Sequence, residues 1–237
     1  AEQGLGDTLM FHRFRKLLEG NVTYIVHPPL GKLLGAAVAG ESVDGDVHLP
    51  LMSLPHRMGV TGVSGEPYLK PVHKMLLKKP PGTRATVGLI WKAKASWKQM
   101  TTDEYLHGMA KSMPLENLLE LSVLDGVALY GLQSQSTDVA DIGAEHLITD
   151  LAMHDFADMA SFMDQMDVIV SVDTGPVHLA GALGKPTVLC LHHGGAWQWG
   201  TKDRTPWYSS ISIVRQKTPG VWPMDDIIAQ VEKCLEY

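Results

Sequence analysis

Three runs in this chain carry side chains suited to chemistry. Gly4-Leu5-Gly6-Asp7 sets a carboxylate in a glycine-rich turn. Asp173-Thr174-Gly175-Pro176-Val177-His178 gathers an acid, a hydroxyl and an imidazole around a helix start. Lys111 stands before Ser112-Met113-Pro114. A carboxylate such as Asp7 suits two jobs, general base for a hydroxyl or cap of a helix. A helix opening near Gly175 presents free N–H groups and partial positive charge, which favours a phosphate. Asp173 reads as a turn organiser or a sugar-hydroxyl acceptor. Lys111, Lys92 and Lys94 are cations that either face an anion or sit solvated at the surface. Trp197, Trp199, Trp207 and Tyr208 cluster late in the chain, where aromatic faces stack on a base or sugar or fasten a loop.

The element that positions the second run is 167–191. Val168–Val172 is a short β-branched run of the kind that forms a fully buried strand. Asp173 and Thr174 are good helix caps, and Pro176 fits a first helical turn. Val177, Leu179, Ala180 and Leu183 keep helical spacing up to Gly184, and Thr187–Leu191 reads as a second buried strand. Strand, turn, helix and strand make one unit of a parallel α/β sheet, with the turn at the strand's carboxyl end, where such sheets bind ligands.

Composition narrows the class. Of 237 residues, 45% are hydrophobic and 19% charged, enough for a sizeable core in one large or two small domains. A net charge of −6 argues against a broad nucleic-acid-binding face. The two cysteines, Cys190 and Cys234, lack metal spacing and read as reduced thiols. No apolar run reaches membrane-span length and no signal peptide is visible, so the reading is a soluble, cytoplasmic α/β protein.

Along the chain, the turn at 4–7 leads into an amphipathic helix carrying Leu9, Phe11, Phe14, Leu17 and Leu18. Such a turn normally follows a strand, so a first strand is expected upstream of this chain. Asn21–Val26 reads as a strand, Leu30–Val38 as a helix and Asp44–Leu51 as a strand. Pro80-Pro81-Gly82 is the best linker. The expected division is therefore 1–82 and 83–237. In the second half, Thr86–Trp91 and Ala128–Leu132 read as strands, Leu115–Leu121 and Asp155–Met166 as helices. Strands alternating with helices in both halves imply two doubly wound domains across a cleft.

SVDTGPVHLAGALGKPTVLCL resembles the nucleotide-sugar segment of the heptosyltransferase-like glycosyltransferases of family 9. GLGDTLMFHRF is similar to the amino-terminal signature of members attached to tetratricopeptide repeats. KSMPLENLLEL with GVALYGLQ, and GAWQWGTKDRTPWYSS, resemble two further family segments in the family's order. The resemblance implies an α/β fold of two Rossmann-like domains, called GT-B, with residues 1–82 on the acceptor side, truncated of their first strand, and 83–237 binding the donor.

The same resemblance implies a bacterial, metal-independent, inverting glycosyltransferase that moves a sugar from a nucleotide-sugar to a hydroxyl of a glycan, lipid or protein. It makes Asp7 the base and sets Lys111 near the donor phosphates. Asp173, Thr174, Gly175, His178, Gln133, Lys92 and Trp197 are then donor-side candidates. WKAKASW at 91–97 and His192-His193 depart from the family pattern. An upstream repeat region of the same gene product is a candidate partner, and the inner-membrane periphery a candidate location; no nucleic acid or cofactor is expected.

Two other classes compete. A scaffold that has kept the fold and lost activity fits the departures, but Asp7, Lys111 and the DTGPVH run all survive. A dinucleotide oxidoreductase needs G-x-G-x-x-G after a strand, and GLGDTL lacks the third glycine. Asp44-Gly45-Asp46 is an acidic pair of the kind that holds a divalent cation, but it lies in the wrong half for a donor site, so no metal is expected.

Overall fold

The computed structural model describes residues 4–38, 40, 45, 47–93, 110–134 and 136–236. The chain opens on helix α1 (Leu5–His12), continued by a 3-10 turn at Arg13–Leu17. Strands β1 (Ile25–Val26) and β2 (Ala37–Val38) pair in parallel around the one-turn helix α2 (Gly31–Leu34). A second single turn, α3, covers Leu54–Arg57.

The main sheet begins with β3 (Ala85–Ile90), followed by α4 (Leu115–Leu119), β4 (Val127–Gly131) and α5 (Asp138–Asp141). Next come β5 (Ile148–Asp150), α6 (Phe156–Asp164), β6 (Val168–Val172), α7 (Gly175–Leu183) and β7 (Thr187–Leu191). Strands β8 (Arg204–Thr205) and β9 (Tyr208–Arg215) and helix α8 (Met224–Leu235) complete it.

The seven strands lie in the order β5-β4-β3-β6-β7-β9-β8, and all pairs are parallel except β8 with β9. The order reverses direction between β3 and β6. In a doubly wound sheet that reversal opens a crevice at the carboxyl ends of the two strands. Strand residues alternate between two covered faces. Val87, Leu89, Val170 and Val188 meet Leu118 of α4 and Ile227 of α8. Ile90 and Ile169 meet Leu9 of α1, Phe162 of α6 and Leu179 of α7, while Leu189 lies beside Met10 and Val177. Burial on both faces demands continuous apolar strands, which is why β3, β6 and β7 could be read from composition. Helix α6 starts where Asp155 Oδ1 accepts from Ala157 N at 2.8 Å and Asp158 N at 2.9 Å.

The α/β class with a parallel sheet is as expected, and 167–191 folds as strand, turn, helix and strand. The amino-terminal elements differ. The helix expected over Leu30–Val38 stops at Leu34, because the chain turns at Gly35 with φ 55°, and Ala37–Val38 pairs as a strand instead. Only Ile25–Val26 of the strand expected over Asn21–Val26 forms. The strand expected over Asp44–Leu51 is not present over 47–50, and Leu51–Ser53 is a 3-10 turn; Val47 is 86% exposed, so its alternation faces no core. No helix among the described residues is long and apolar enough to cross a membrane.

Candidate functional site

Strand β6 ends at Val172, which delivers Asp173 to the crevice beside β3. The Asp173 side chain is only 4% exposed, a costly place for a carboxylate unless partners meet it. Two do. Trp199 Nε1 donates to Oδ1 at 2.8 Å, and Lys111 Nζ lies 3.2 Å from Oδ2. Lys111 is held there because Met113, two residues on, donates its N–H to Trp91 O at 2.8 Å, at the end of β3. The pair thus bridges the two strand ends that flank the crevice. Thr174 occupies the N-cap position of α7 with extended backbone (φ −149°, ψ 170°) and makes no side-chain bond to the helix amides.

His178 lies one turn into α7 and is buried. Its ring stacks on Trp199 with centroids 5.1 Å apart and planes at 26°. Nδ1 is 3.1 Å from the Tyr208 hydroxyl, which is 3.5 Å from that of Tyr68. Tyr68 donates its own proton to Leu9 O at 2.8 Å. The direction of the His178–Tyr208 bond follows the imidazole tautomer: with Tyr208 as donor to Nδ1, the imidazole carries its proton on Nε2. Burial is the main cause that lowers the His178 pKa to about 4, against the opposing charges of Asp173 and Asp7, so the ring is neutral near pH 7.

Nε2 faces the amino-terminal turn. A Cβ on Gly6 would lie 2.7 Å from His178 Cδ2, 3.2 Å from Nε2 and 3.4 Å from Gly175 Cα, so only glycine lets α1 start against the start of α7. That contact sets Asp7 beside the imidazole, and Asp7 is among the charges acting on it. Asp7 Oδ2 accepts from Gly4 N at 3.0 Å, so one oxygen caps α1, while Oδ1 takes no bond from any described residue. Arg13, the residue that follows α1, supports the group from behind. It donates to Met10 O at 3.1 Å, Trp207 O at 2.8 Å and Ser64 O, and its guanidinium lies 4.9 Å from the Tyr208 ring centre.

The fold therefore brings together Asp7, Lys111, Asp173, Thr174, Gly175 and His178. Lys92 and Gln133 belong to a neighbouring network: Lys92 N donates to Gln133 Oε1 at 2.9 Å, and Lys92 Nζ bonds Asp138 Oδ1. Burial raises the Asp138 carboxyl, but hydrogen bonds from Lys92 and Trp91 outweigh it and hold that carboxyl below its usual value. Trp197 is 66% exposed and meets Trp207 edge-on at 5.8 Å. Lys94, Asp44 and Asp46 lie outside the described residues. Among the tryptophans it is Trp199, with Tyr208, that reaches the site; both stood in the aromatic cluster, but nothing in their spacing separated them from Trp197 and Trp207. Arg13 was missed because helical spacing shows which residues share a face, and its partners at 64 and 207 are far away in sequence.

Residues 127–214 match the family model of glycosyltransferase family 9 (heptosyltransferase). No curated protein matches the chain. Among solved structures, E. coli ADP-heptose lps heptosyltransferase II is 18% identical, with a TM-score of 0.46 over 65% of this chain and 47% of that one. E. coli heptosyltransferase WaaC with ADP-2-deoxy-2-fluoro heptose is 19% identical, with a TM-score of 0.41 over 66% of this chain and 44% of that one. A glycosyl transferase family 9 protein from Veillonella parvula DSM 2008 is 12% identical, with a TM-score of 0.49 over 78% of this chain and 58% of that one. The chain spans less than two thirds of the length of each of these structures. The family match covers β4 to β9 and with them Asp173, Gly175 and His178, so that this segment is similar to glycosyltransferase family 9, the heptosyltransferase family.

Proposed function

We propose that this protein transfers a sugar from a nucleotide-sugar donor to a hydroxyl of a glycan, lipid or protein acceptor, with inversion at the anomeric carbon. Asp7 takes the hydroxyl proton, the freed oxygen attacks the anomeric carbon, and the bond from that carbon to the diphosphate oxygen breaks. The nucleoside diphosphate leaves with the electron pair. Its charge is met by Lys111 and by the Gly175 amide at the positive end of α7, which Thr174 leaves uncapped. Lys111 spends one donor direction on Asp173 and keeps others for phosphate oxygens. His178 Nε2 adds a neutral donor between them, and no metal is required in this scheme. Residues 1–82 then supply the acceptor side with Asp7, and 83–237 the donor side.

The observation that carries the reading is the contact of the Gly6-Asp7 turn with His178 and Gly175, which brings a base to the edge of an anion-favouring helix start. The test is calorimetric titration with nucleoside diphosphates and nucleotide sugars, ADP-heptose included, without added metal. Micromolar binding of one nucleotide is expected, weakened at least tenfold in Gly175→Asp and kept in Asp7→Asn, while Asp7→Asn abolishes transfer. A folded chain that binds no member of the panel overturns the reading.

A further inference from the structure

At the far end of α1 from Asp7, a cavity of about 390 Å³ is lined by His12, Arg13, Arg15, Lys16 and Tyr68, with Leu18, Gly20 and Val22 at its edge. No acidic side chain among the described residues lines it. Arg13 is satisfied by three carbonyls, but Arg15 Nε, His12 Nδ1 and the Tyr24 hydroxyl are buried with no hydrogen-bond partner among the described residues. These orphans are neighbours: the His12 and Tyr24 ring centres are 5.5 Å apart, and the Arg15 guanidinium lies 5.5 Å from the Tyr24 ring centre. A buried polar atom without a partner costs free energy comparable to a lost hydrogen bond; His12 and Arg15 line the cavity and Tyr24 packs against both, so the group calls for a polar partner from outside. Arg15 and Lys16 make the cavity electropositive, which favours an anionic acceptor.

We propose that this cavity is a binding site for a phosphomonoester, distinct from the Asp7–His178 site. A phosphomonoester offers three acceptor oxygens and about −1.5 to −2 charge, which suits a guanidinium, an ammonium and a hydroxyl. The volume lies in the range of small-molecule sites, so there is room for the sugar or other small group that bears the phosphate. A free sugar phosphate and a phosphorylated glycan share this chemistry.

The test is titration of the whole chain with inorganic phosphate, glucose 6-phosphate and glucose at constant ionic strength, with chloride as the reference salt. Saturable binding of phosphate and tighter binding of glucose 6-phosphate are expected, with none of glucose. Arg15→Gln should weaken binding at least tenfold and Lys16→Gln severalfold, while Gly175→Asp, which blocks the donor site, should leave it unchanged. Tyr24→Phe removes only the hydroxyl and should weaken binding two- to fivefold if Arg15→Gln proves poorly folded. Equal effects of phosphate and chloride overturn the proposal. So does phosphate binding that is lost in Gly175→Asp and kept in Arg15→Gln, which would send the anion to the donor site. Tighter binding of inorganic phosphate than of glucose 6-phosphate would refute the added room for a sugar.

Discussion

Gly181→Ala sets two physical effects against each other. Helix propensity alone favours alanine within a helix by about 1 kcal/mol. Packing opposes it, because a Cβ at Gly181 would lie 2.4 Å and 2.5 Å from two ring atoms of Tyr208 and 3.0 Å from Ile211 Cδ1. To reach an ordinary 3.4 Å contact the ring would have to retreat by about 1 Å, in an interior packed as densely as a crystal. Tyr208 has little freedom to do so: it is fully buried, bonded to His178 through its hydroxyl, and flanked by the Arg13 guanidinium. Overpacking of this kind costs about 1–3 kcal/mol, and the lost His178 bond adds about 1 kcal/mol. The net expectation is a loss of about 1–3 kcal/mol, or about 2–12 °C in Tm for a chain of this size. Urea unfolding followed by tryptophan fluorescence measures it, and a shift of the His178 ring resonances checks the cause. A variant as stable as the parent, or stabilised by the propensity amount, refutes the argument that Tyr208 is fixed against α7.

Three further outcomes follow from the same group. His178 is held near pKa 4 by burial against 6.5 when unfolded, so the unfolded state takes up the proton first as pH falls. This contribution is intact above about pH 6.5 and is lost toward pH 4, about 2 kcal/mol of it between pH 7 and 5, with His12 acting in the same sense. Urea melts at the two pH values should show it, and His178→Gln should flatten the slope by about half; an unchanged slope argues that the ring is already charged. Trp199→Phe keeps an aromatic ring against His178 but removes the donor to Asp173, and should cost about 1–3 kcal/mol in the same melts. Lys111→Met leaves the buried Asp173 carboxylate with Trp199 alone and should cost about 2–3 kcal/mol, below the usual figure for a buried pair because the lysine side chain is 20% exposed. Lys111→Arg should recover most of that loss, whereas a purely steric role for the lysine stem would be served as well by methionine.

How much of this was legible follows from what a linear pattern encodes. The run 167–191 could be read because its strands are buried on both faces and its helix is bounded by Thr174 and Gly184, so local composition and tertiary demand agree. The helix start at Gly175 was legible for the same reason, whereas the roles of Asp7 and His178 were implied by the family resemblance, since spacing alone favoured a helix cap and a packed ring. The short amino-terminal strands were not legible. Val47, Leu49 and Leu51 alternate like a strand, yet Val47 and Leu49 are exposed, and alternation without a sheet to face carries no structure. The partition of the aromatic cluster was hidden too. Trp197 and Trp199 are two residues apart in one 3-10 turn, and only the register of that turn against β9 turns one ring to solvent and the other onto His178.

That partition bears on how the site is held together. Asp173 is reached from three directions: by its own strand, by Lys111 just ahead of α4, and by Trp199 from the turn after β7. Trp199 in turn stacks on His178, which also touches Tyr208 and lies against Gly6 at the start of α1. The acid at 173 therefore fixes the relative placement of a cation, an imidazole donor and the turn that bears Asp7, although it need not touch a ligand itself. Its Oδ1 is committed to the Trp199 indole, while Oδ2 is paired in charge with Lys111 but takes no hydrogen bond from a described residue, so that oxygen keeps acceptor capacity for a ligand. Asp173→Asn separates the two roles: a positioning acid predicts looser Lys111 and weaker nucleotide binding, with little change in discrimination between donor sugars. A change confined to sugar discrimination, with nucleotide affinity intact, would assign Asp173 to the ligand instead.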